Sequence, residues 1–477
     1  MDPLRTPRTT RMIPSSSLGR TTQTPLGSAG PQLSQLLPRP GVGSTLPGIG
    51  GAGAPYLGRR HSIYGTEDRI VLDVGSLYLR CGFSGESQPR HILSVSGDLA
   101  FHRDGPCNEC CRHHGRFVEL FTPNVGQADP VVLEETLRHY LYDVFYRYLL
   151  TDPRQRKVLI CESPLMPTEI KNMLARILFQ SFQVPSLSFV PSPILSLMTA
   201  GVMTGLVLDS GNWETTVMPL FDLRPLTSSV RATPLAGRAL SERLRILLLN
   251  YAQLILPTGE RTRLESAMLD AETLEDLKTR ILFVSPFNLI RPDGGPTPSQ
   301  EGDDFEGWYR DASAATDVTC RLRRADTGQA CRLLVPGWVR ERAAEVLFVG
   351  DEDAPDLVCC LLDCLLKVNV ELRPRMVEHV LLTGGTVMLP NFQARFHQEC
   401  IRMASTHPRY RPLQSLMDRM RFLSGGERGR IFPANCRAWI GGSLVGVLKA
   451  SGPEITKEKF TGVVPDWAVP ELEPSES

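Results

Sequence analysis

The chain has 477 residues, with 52 Lys plus Arg against 52 Asp plus Glu, 42% hydrophobic and 22% charged, so its formal net charge is zero. That is ordinary globular usage at a length that calls for two or more domains or lobes. A neutral balance argues against a general nucleic-acid or membrane-surface binder, which needs a basic field, and no apolar run of about 18 residues marks a membrane-inserted helix.

Residues 1–66 stand apart. They hold 9 Pro and 11 Gly, with 7 Arg against the single acid Asp2, a net charge near +6. Little apolar surface is present to offset chain entropy, so a disordered basic tail is expected. No apolar core of secretory type occurs, and the prolines break the amphipathic helix that a mitochondrial leader of this composition would need. Order is expected from residue 67. Residues 69–75 read as a buried strand ending in a turn, 131–150 as a helix with helical apolar spacing, and 157–162 as a second buried strand. Thr168 is expected to cap a helix reaching about residue 182. A short apolar helix follows at 192–200, then a strand-and-turn at 206–211 and helices at 237–253 and 271–284. The polar stretch 286–330, with Pro286, Gly294, Gly295, Asp303 and Asp304, reads as a mobile loop, and Arg321, Arg323 and Arg324 as a basic run within it. Helices at 337–349 and 355–368, a strand at 377–382 and the Gly-Gly turn 383–386 complete the α/β pattern. The Gly-rich stretch 424–430 neither follows a strand nor opens a helix and reads as a loop. The 12 Cys are scattered, several inside apolar runs (Cys359, Cys360, Cys364). This is the usage of reduced, buried thiols in the cytosol or nucleus.

Three Gly-containing turns follow buried strands: Asp73-Val74-Gly75-Ser76, Asp209-Ser210-Gly211-Asn212 and Thr383-Gly384-Gly385-Thr386. Gly lets a backbone approach phosphate oxygens without Cβ interference. Aspartates ending two strands could hold a hydrated divalent cation, and a Gly-Gly turn could pass close to a base or ribose. Any single Asp-x-Gly is a common strand-ending turn. Two copies in matching contexts, at Asp73 and Asp209, point to a duplicated lobe. A separate cluster, Cys107-x-x-Cys110-Cys111-x-His113-His114 with His102 upstream, has zinc-ligand residue types. It lacks a second Cys-x-x-Cys, and the adjacency of Cys110 and Cys111 makes joint ligation awkward.

These residues resemble the actin family. Residues 73–85 resemble the first phosphate loop of actins, 206–212 the second and 382–388 the adenosine loop. Residues 192–201 and 438–443 resemble the two helices that connect the lobes. Residues 234–238, 276–284 and 455–460 match in order, so the resemblance covers roughly 67–467. It implies an α/β, two-lobed actin-like ATPase fold of duplicated ribonuclease H-like halves. The expected divisions are 67–200 for the first lobe with a divergent insert at 100–125, 201–435 for the second, and 436–477 for a return to the first. ATP or ADP with Mg²⁺ would sit in the cleft between lobes. By matching position, the ligand would meet Asp73, Gly75, Ser76, Arg80, Asp209, Gly211, Asn212, Gly237, Lys278, Gly384, Gly385 and Thr386.

The departures bear on activity. Where actins read Asp-Ser-Gly-Asp-Gly, this chain has Asp209-Ser210-Gly211-Asn212-Trp213, losing a carboxylate and placing an indole expected to crowd the site. Leu77 replaces a Gly, and Arg80 replaces the phosphate-binding Lys with a wider planar fork. Ser192, followed by Pro193, stands for the water-positioning Gln, and Thr216 for the hydrolysis-linked His. Phosphoryl transfer depends on positioning and electrostatics, so negligible hydrolysis is expected.

Within the family, residues 152–163, 184–186, 433–439 and 464–467 resemble the divergent actin-related class of the dynactin pointed end. That resemblance implies a non-catalytic subunit of the cytoplasm and cytoskeleton. Its partners would be dynactin's actin-related filament subunits and other pointed-end proteins, and indirectly dynein. The insert at 100–125 shows no recognisable filament-contacting loop, as a terminal cap would require. Two rival expectations are an active ATPase or phosphotransferase on the same fold, and a nuclear actin-related subunit of a chromatin-remodelling complex.

Overall fold

The computed structural model describes residues 69–94, 130–286, 313–323, 330–351, 353–423, 432–449, 452 and 454–466. The tail 1–66, the insert 100–125 with Cys107, Cys110 and His113, most of 286–330, and the stretch 424–430 lie outside the described residues.

The first lobe opens with the hairpin β1 (Ile70–Val74) and β2 (Tyr78–Phe83), then β3 (His91–Ser94). After α1 (Pro130–Tyr142) come β4 (Val158–Glu162), α2 (Thr168–Gln180) and β5 (Ser186–Pro191). β4 runs parallel to both β1 and β5. Every residue of β4 is buried, as expected of a central strand covered on both faces.

The second lobe is entered through α3 (Ser192–Thr199) and starts with the hairpin β6 (Gly205–Ser210) and β7 (Thr215–Phe221), extended by β8 (Arg224–Pro225) and β9 (Arg231–Thr233). Next come α4 (Gly237–Tyr251), β10 (Gln253–Ile255), β11 (Arg261–Arg263) and α5 (Ala271–Ile281). In α4, Leu240, Leu244, Leu247 and Leu248 form one buried stripe at helical spacing. The hairpin β12 (Val318–Arg323) and β13 (Ala330–Val335) precedes α6 (Gly337–Arg342), α7 (Leu357–Lys367) and α8 (Arg373–Glu378). Asp356 caps α7, its carboxylate accepting the N–H groups of Val358 and Cys359, each at 2.8 Å, a cap worth about 1 kcal/mol. β14 (Val380–Thr383), α9 (Phe392–Thr406) and α10 (Gln414–Met417) finish the lobe.

The chain then returns. α11 (Arg437–Leu448) crosses α3, and β15 (Ile455–Thr456) adds to the first sheet beside β5. At the crossing, a Cβ on Gly441 would come within 2.0 Å of the Leu195 carbonyl oxygen, so only glycine permits this approach. The three sheets run β15-β5-β4-β1-β2-β3, β14-β6-β7-β8 with β9 also on β7, and β11-β10-β13-β12.

The duplication expected from the two Asp-x-Gly turns is visible in register. Asp73 faces Arg80 across the first hairpin, and Asp209 faces Thr216 across the second. Each hairpin's leading strand has a parallel neighbour, β4 for β1 and β14 for β6.

Several boundaries differ from expectation. The strand expected at 377–382 is shorter: residues 373–378 form α8, with Met376 and Val377 buried, and the strand begins at Val380, after the half-buried Glu378 and His379. Period alone does not separate a short buried helix from a strand. The expected loop 286–330 contains β12, in which Cys320 and Leu322 point inward and Arg321 outward. Arg321 and Arg323 therefore lie on a strand rather than in a loop. The helix at 131–150 changes to a π turn over Asp143–Tyr148, and that at 337–349 passes into a 3₁₀ segment, Ala343–Leu347. Thr168 is the first helical residue, and the preceding cap position, Pro167, supplies no side-chain bond.

Candidate functional site

All twelve residues assigned from the three turns and their companions line one cavity of about 650 Å³, a size suited to a small-molecule ligand. Ser192, Trp213 and Thr216 line it too. The cavity remains open despite the indole that was expected to crowd it. The Arg238 guanidinium stacks on the Trp213 ring at 3.9 Å from its centroid, a cation–π contact that holds the indole against the wall.

The glycine turns act through shape. The Gly75 N–H donates to the Tyr78 carbonyl and the Gly211 N–H to the Glu214 carbonyl, both at 3.0 Å. These two donors are used inside their own hairpins, which leaves the turn residues between them to face a ligand. The second turn is pinned from outside: the Gly211 carbonyl accepts the Gly237 N–H at 3.1 Å and the Thr386 hydroxyl at 2.8 Å. Gly384 has φ +97°, and a Cβ there would meet the Ser210 carbonyl oxygen at 2.1 Å. Gly385 has no heavy atom within 4 Å of an added Cβ, so its open side faces the cavity.

The charged residues are already partnered. Arg80 Nη1 donates to Asp73 Oδ2 at 3.0 Å, and both side chains are largely buried. The guanidinium expected to meet phosphate is thus committed to the carboxylate of its own hairpin. Lys278 Nζ donates to the Gly237 carbonyl at 3.3 Å and the Ser241 hydroxyl at 3.1 Å, and pairs with Glu275. Two of its donors brace α4 against α5, and the third is spent on Glu275 of its own helix.

Acid is in excess. Burial, then the proximity of Asp73, pushes the Asp209 carboxyl up to about 6, with Arg80 opposing. Burial, then Asp209, pushes Glu214 up to about 7. Burial also raises Asp73 against the pull of Arg80. Sequence reasoning missed Glu214 and Glu275 as cleft residues. Glu214 closes the second hairpin turn, so its place three residues beyond Gly211 was the available signal.

Among the described residues, four buried polar atoms in the cavity lining have no hydrogen-bond partner: Arg80 Nε, Asn212 Nδ2, Trp213 Nε1 and Asn435 Oδ1. Buried polar groups are rarely left unpaired, so these are positions a guest would satisfy. A polyanion with a divalent cation fits this lining: the raised carboxylates of Asp209 and Glu214 suit the cation. Asn212, Trp213 and the first-turn backbone supply donors, and Gly385 leaves room for a flat ring.

Comparison with known proteins agrees with the geometry. The family model described as Actin matches residues 65–263 and 340–464, more than half of the chain. The chain belongs to the actin family. It is similar to a Dictyostelium discoideum protein named putative actin-29, 25% identical over 407 residues that span 82% of this chain and 93% of that one. It is also similar to actin-related protein 10 of the same organism, 23% identical over 456 residues, 84% of this chain and 89% of that one. A third relative is actin-related protein 2 of Arabidopsis thaliana, 22% identical over 345 residues, 69% and 80% of the two chains. Among the described residues no helix is long and apolar enough to cross a membrane, and no group of three or more His, Cys, Asp or Glu is arranged to hold a metal ion.

Proposed function

We propose that this chain is a non-catalytic actin-related subunit that uses its nucleotide cleft as a structural joint. The observation carrying the reading is the lining of that cleft. Ser192 and Thr216 face the cavity where the family resemblance puts a water-positioning Gln and a His. A short hydroxyl at each position cannot reach as far as the longer groups it replaces. The cation expected to offset phosphate charge, Arg80, is held by Asp73. Hydrolysis needs an oriented water and a stabilised leaving phosphate, and this site is weak in both. ATP or ADP with Mg²⁺ would then act by joining the two lobes through Asp209, Gly211 and Gly385, with no turnover.

The resemblance to the pointed-end class, the tenth in fungal naming and the eleventh in vertebrate naming, gives the reading its cellular form. The chain would terminate the short actin-like filament of dynactin in the cytoplasm, bound to the last filament subunit and to other pointed-end proteins. Its part in dynein-based transport would be as scaffold. The similarity to actin-related protein 10 supports that class.

Phosphate release from purified full-length chain with MgATP tests the first half. No turnover above buffer is expected, and an actin-like rate would end the non-catalytic reading. Affinity capture at native salt tests the second half. Recovery of dynactin subunits is expected, whereas recovery of chromatin-remodeller subunits would replace the pointed-end assignment.

A further inference from the structure

The sheet β11-β10-β13-β12 has one face turned inward, carrying Leu254, Leu333, Cys320 and Leu322. The opposite face is exposed. Register puts Arg261, Ile255, Arg332 and Arg321 in a single rank across the four strands, because directly paired residues share a face. Arg263 begins the next rank, opposite Gln253. All four arginines are exposed. Among the described residues none of them pairs with a carboxylate, and Arg261 reaches the Gln253 side-chain oxygen at 3.4 Å.

Arg321 and Arg332 are direct cross-strand neighbours, and like charges placed so oppose the pairing of their own strands. Among the described residues no carboxylate offsets that repulsion, which points to a use outside the chain. We infer that this face is a docking surface for an acidic, extended segment of a partner protein. Adjacent strands are about 4.8 Å apart, so the rank spans a width that an extended peptide can follow with alternate carboxylates. The half-buried Ile255 sits between Arg261 and Arg332, and the half-buried Leu334 lies in the next rank between Gln253 and Thr319, so both give apolar residues of such a segment a seat. No aromatic side chain lies on the exposed ranks, which argues against a single-stranded nucleic acid, whose bases stack on aromatic platforms.

The test uses the purified full chain and fluorescence anisotropy. The probes are a labelled peptide of Asp-Ile-Glu-Val repeats, its Asn/Gln counterpart, and an oligothymidylate. The acidic peptide is expected to bind, to lose affinity as salt rises, and to weaken at least tenfold in R321Q/R332Q and in R261Q/R263Q. A distant pair, R154Q/R411Q, is expected to stay within twofold, which controls for bulk charge. The melting temperature of R321Q/R332Q should equal or exceed that of the parent, since the substitution removes repulsion. Three results would overturn the inference. One is an acidic peptide that fails to bind or binds all variants alike. Another is an oligothymidylate that binds tighter than the peptide. The third is peptide binding seen only after D303N/D304N, which would make the chain's own acidic run the occupant.

Discussion

Asp209→Asn is expected to make the protein more stable at neutral pH. Its carboxyl sits in the cleft at about 6 against an ordinary 3.8. A gap of about two pH units corresponds to about 3 kcal/mol of penalty on the charged form, at about 1.36 kcal/mol per unit. The sign follows from proton counting. The folded state holds this proton more tightly than the unfolded chain, so stability falls as pH rises from 3.8 through about 6 and is flat above. Asn removes the charge and keeps the shape. With EDTA present, urea unfolding followed by tryptophan fluorescence should give a gain of up to about 3 kcal/mol at pH 7.5, dropping to about half at pH 5. Added Mg²⁺ should stabilise the parent more than the variant, because a cation that binds only the folded state raises its stability by mass action. A variant that is less stable at pH 7.5, or whose gain is the same at both pH values, would refute the claim that the cleft stores uncompensated negative charge.

Two further tests concern the turns. Arg80→Met leaves the buried Asp73 carboxylate without its 3.0 Å partner, and should lower stability by about 3–5 kcal/mol in the same urea assay at pH 7.5. A loss below about 1 kcal/mol would mean the pair is solvated, as for surface salt bridges. Gly384→Ala forces a Cβ against the Ser210 carbonyl at positive φ, and should cost about 2–4 kcal/mol. Gly385→Ala meets nothing within 4 Å, so stability should hold within about 0.5 kcal/mol while nucleotide affinity by fluorescence titration falls. Equal thermal shifts for the two alanine variants would contradict the geometry of this turn.

The cleft was legible in the sequence because its chemistry is local: each of the first two turns carries its glycine and acid within four residues, the third carries a Gly-Gly pair, and all three turns follow buried strands. What stayed hidden depends on partners distant in the chain. The lock of Arg80 onto Asp73 needs the hairpin register, which no spacing rule states. The bracing role of Lys278 needs Gly237 and Ser241 from another helix. The arginine rank was missed because polar residues at 286–330 masked a strand whose alternation, Cys320 and Leu322 inward with Arg321 outward, spans only a few residues. The switch from helix to strand between Val377 and Val380 was missed because a six-residue helix is too short to display a period, and Glu378 and His379 interrupt the apolar residues on either side of it.

The first lobe's early and late segments are joined across almost the whole chain. The Trp439 indole N–H donates to the Val71 carbonyl at 3.0 Å, and Glu454 pairs with Arg69 at 2.7 Å and Lys157 at 3.1 Å. Lys171, itself paired with Glu162, donates to the Pro465 carbonyl at 2.8 Å. The second lobe's sheets and helices run contiguously from β6 to α10, and the returning segment touches it at the end of β14, where the Ala434 carbonyl accepts from Thr383 and Gly384 and Arg437 donates to the Leu382 carbonyl. During synthesis the amino-terminal strands therefore emerge first and are sealed last. Val71, Leu159 and Leu195 wait with one apolar flank uncovered until Trp439 and Ile440 leave the ribosome. Termination between α10 and α11 would yield a second half with its elements in place attached to an unsealed first, so a nascent chain of this protein needs sheltering until α11 has emerged.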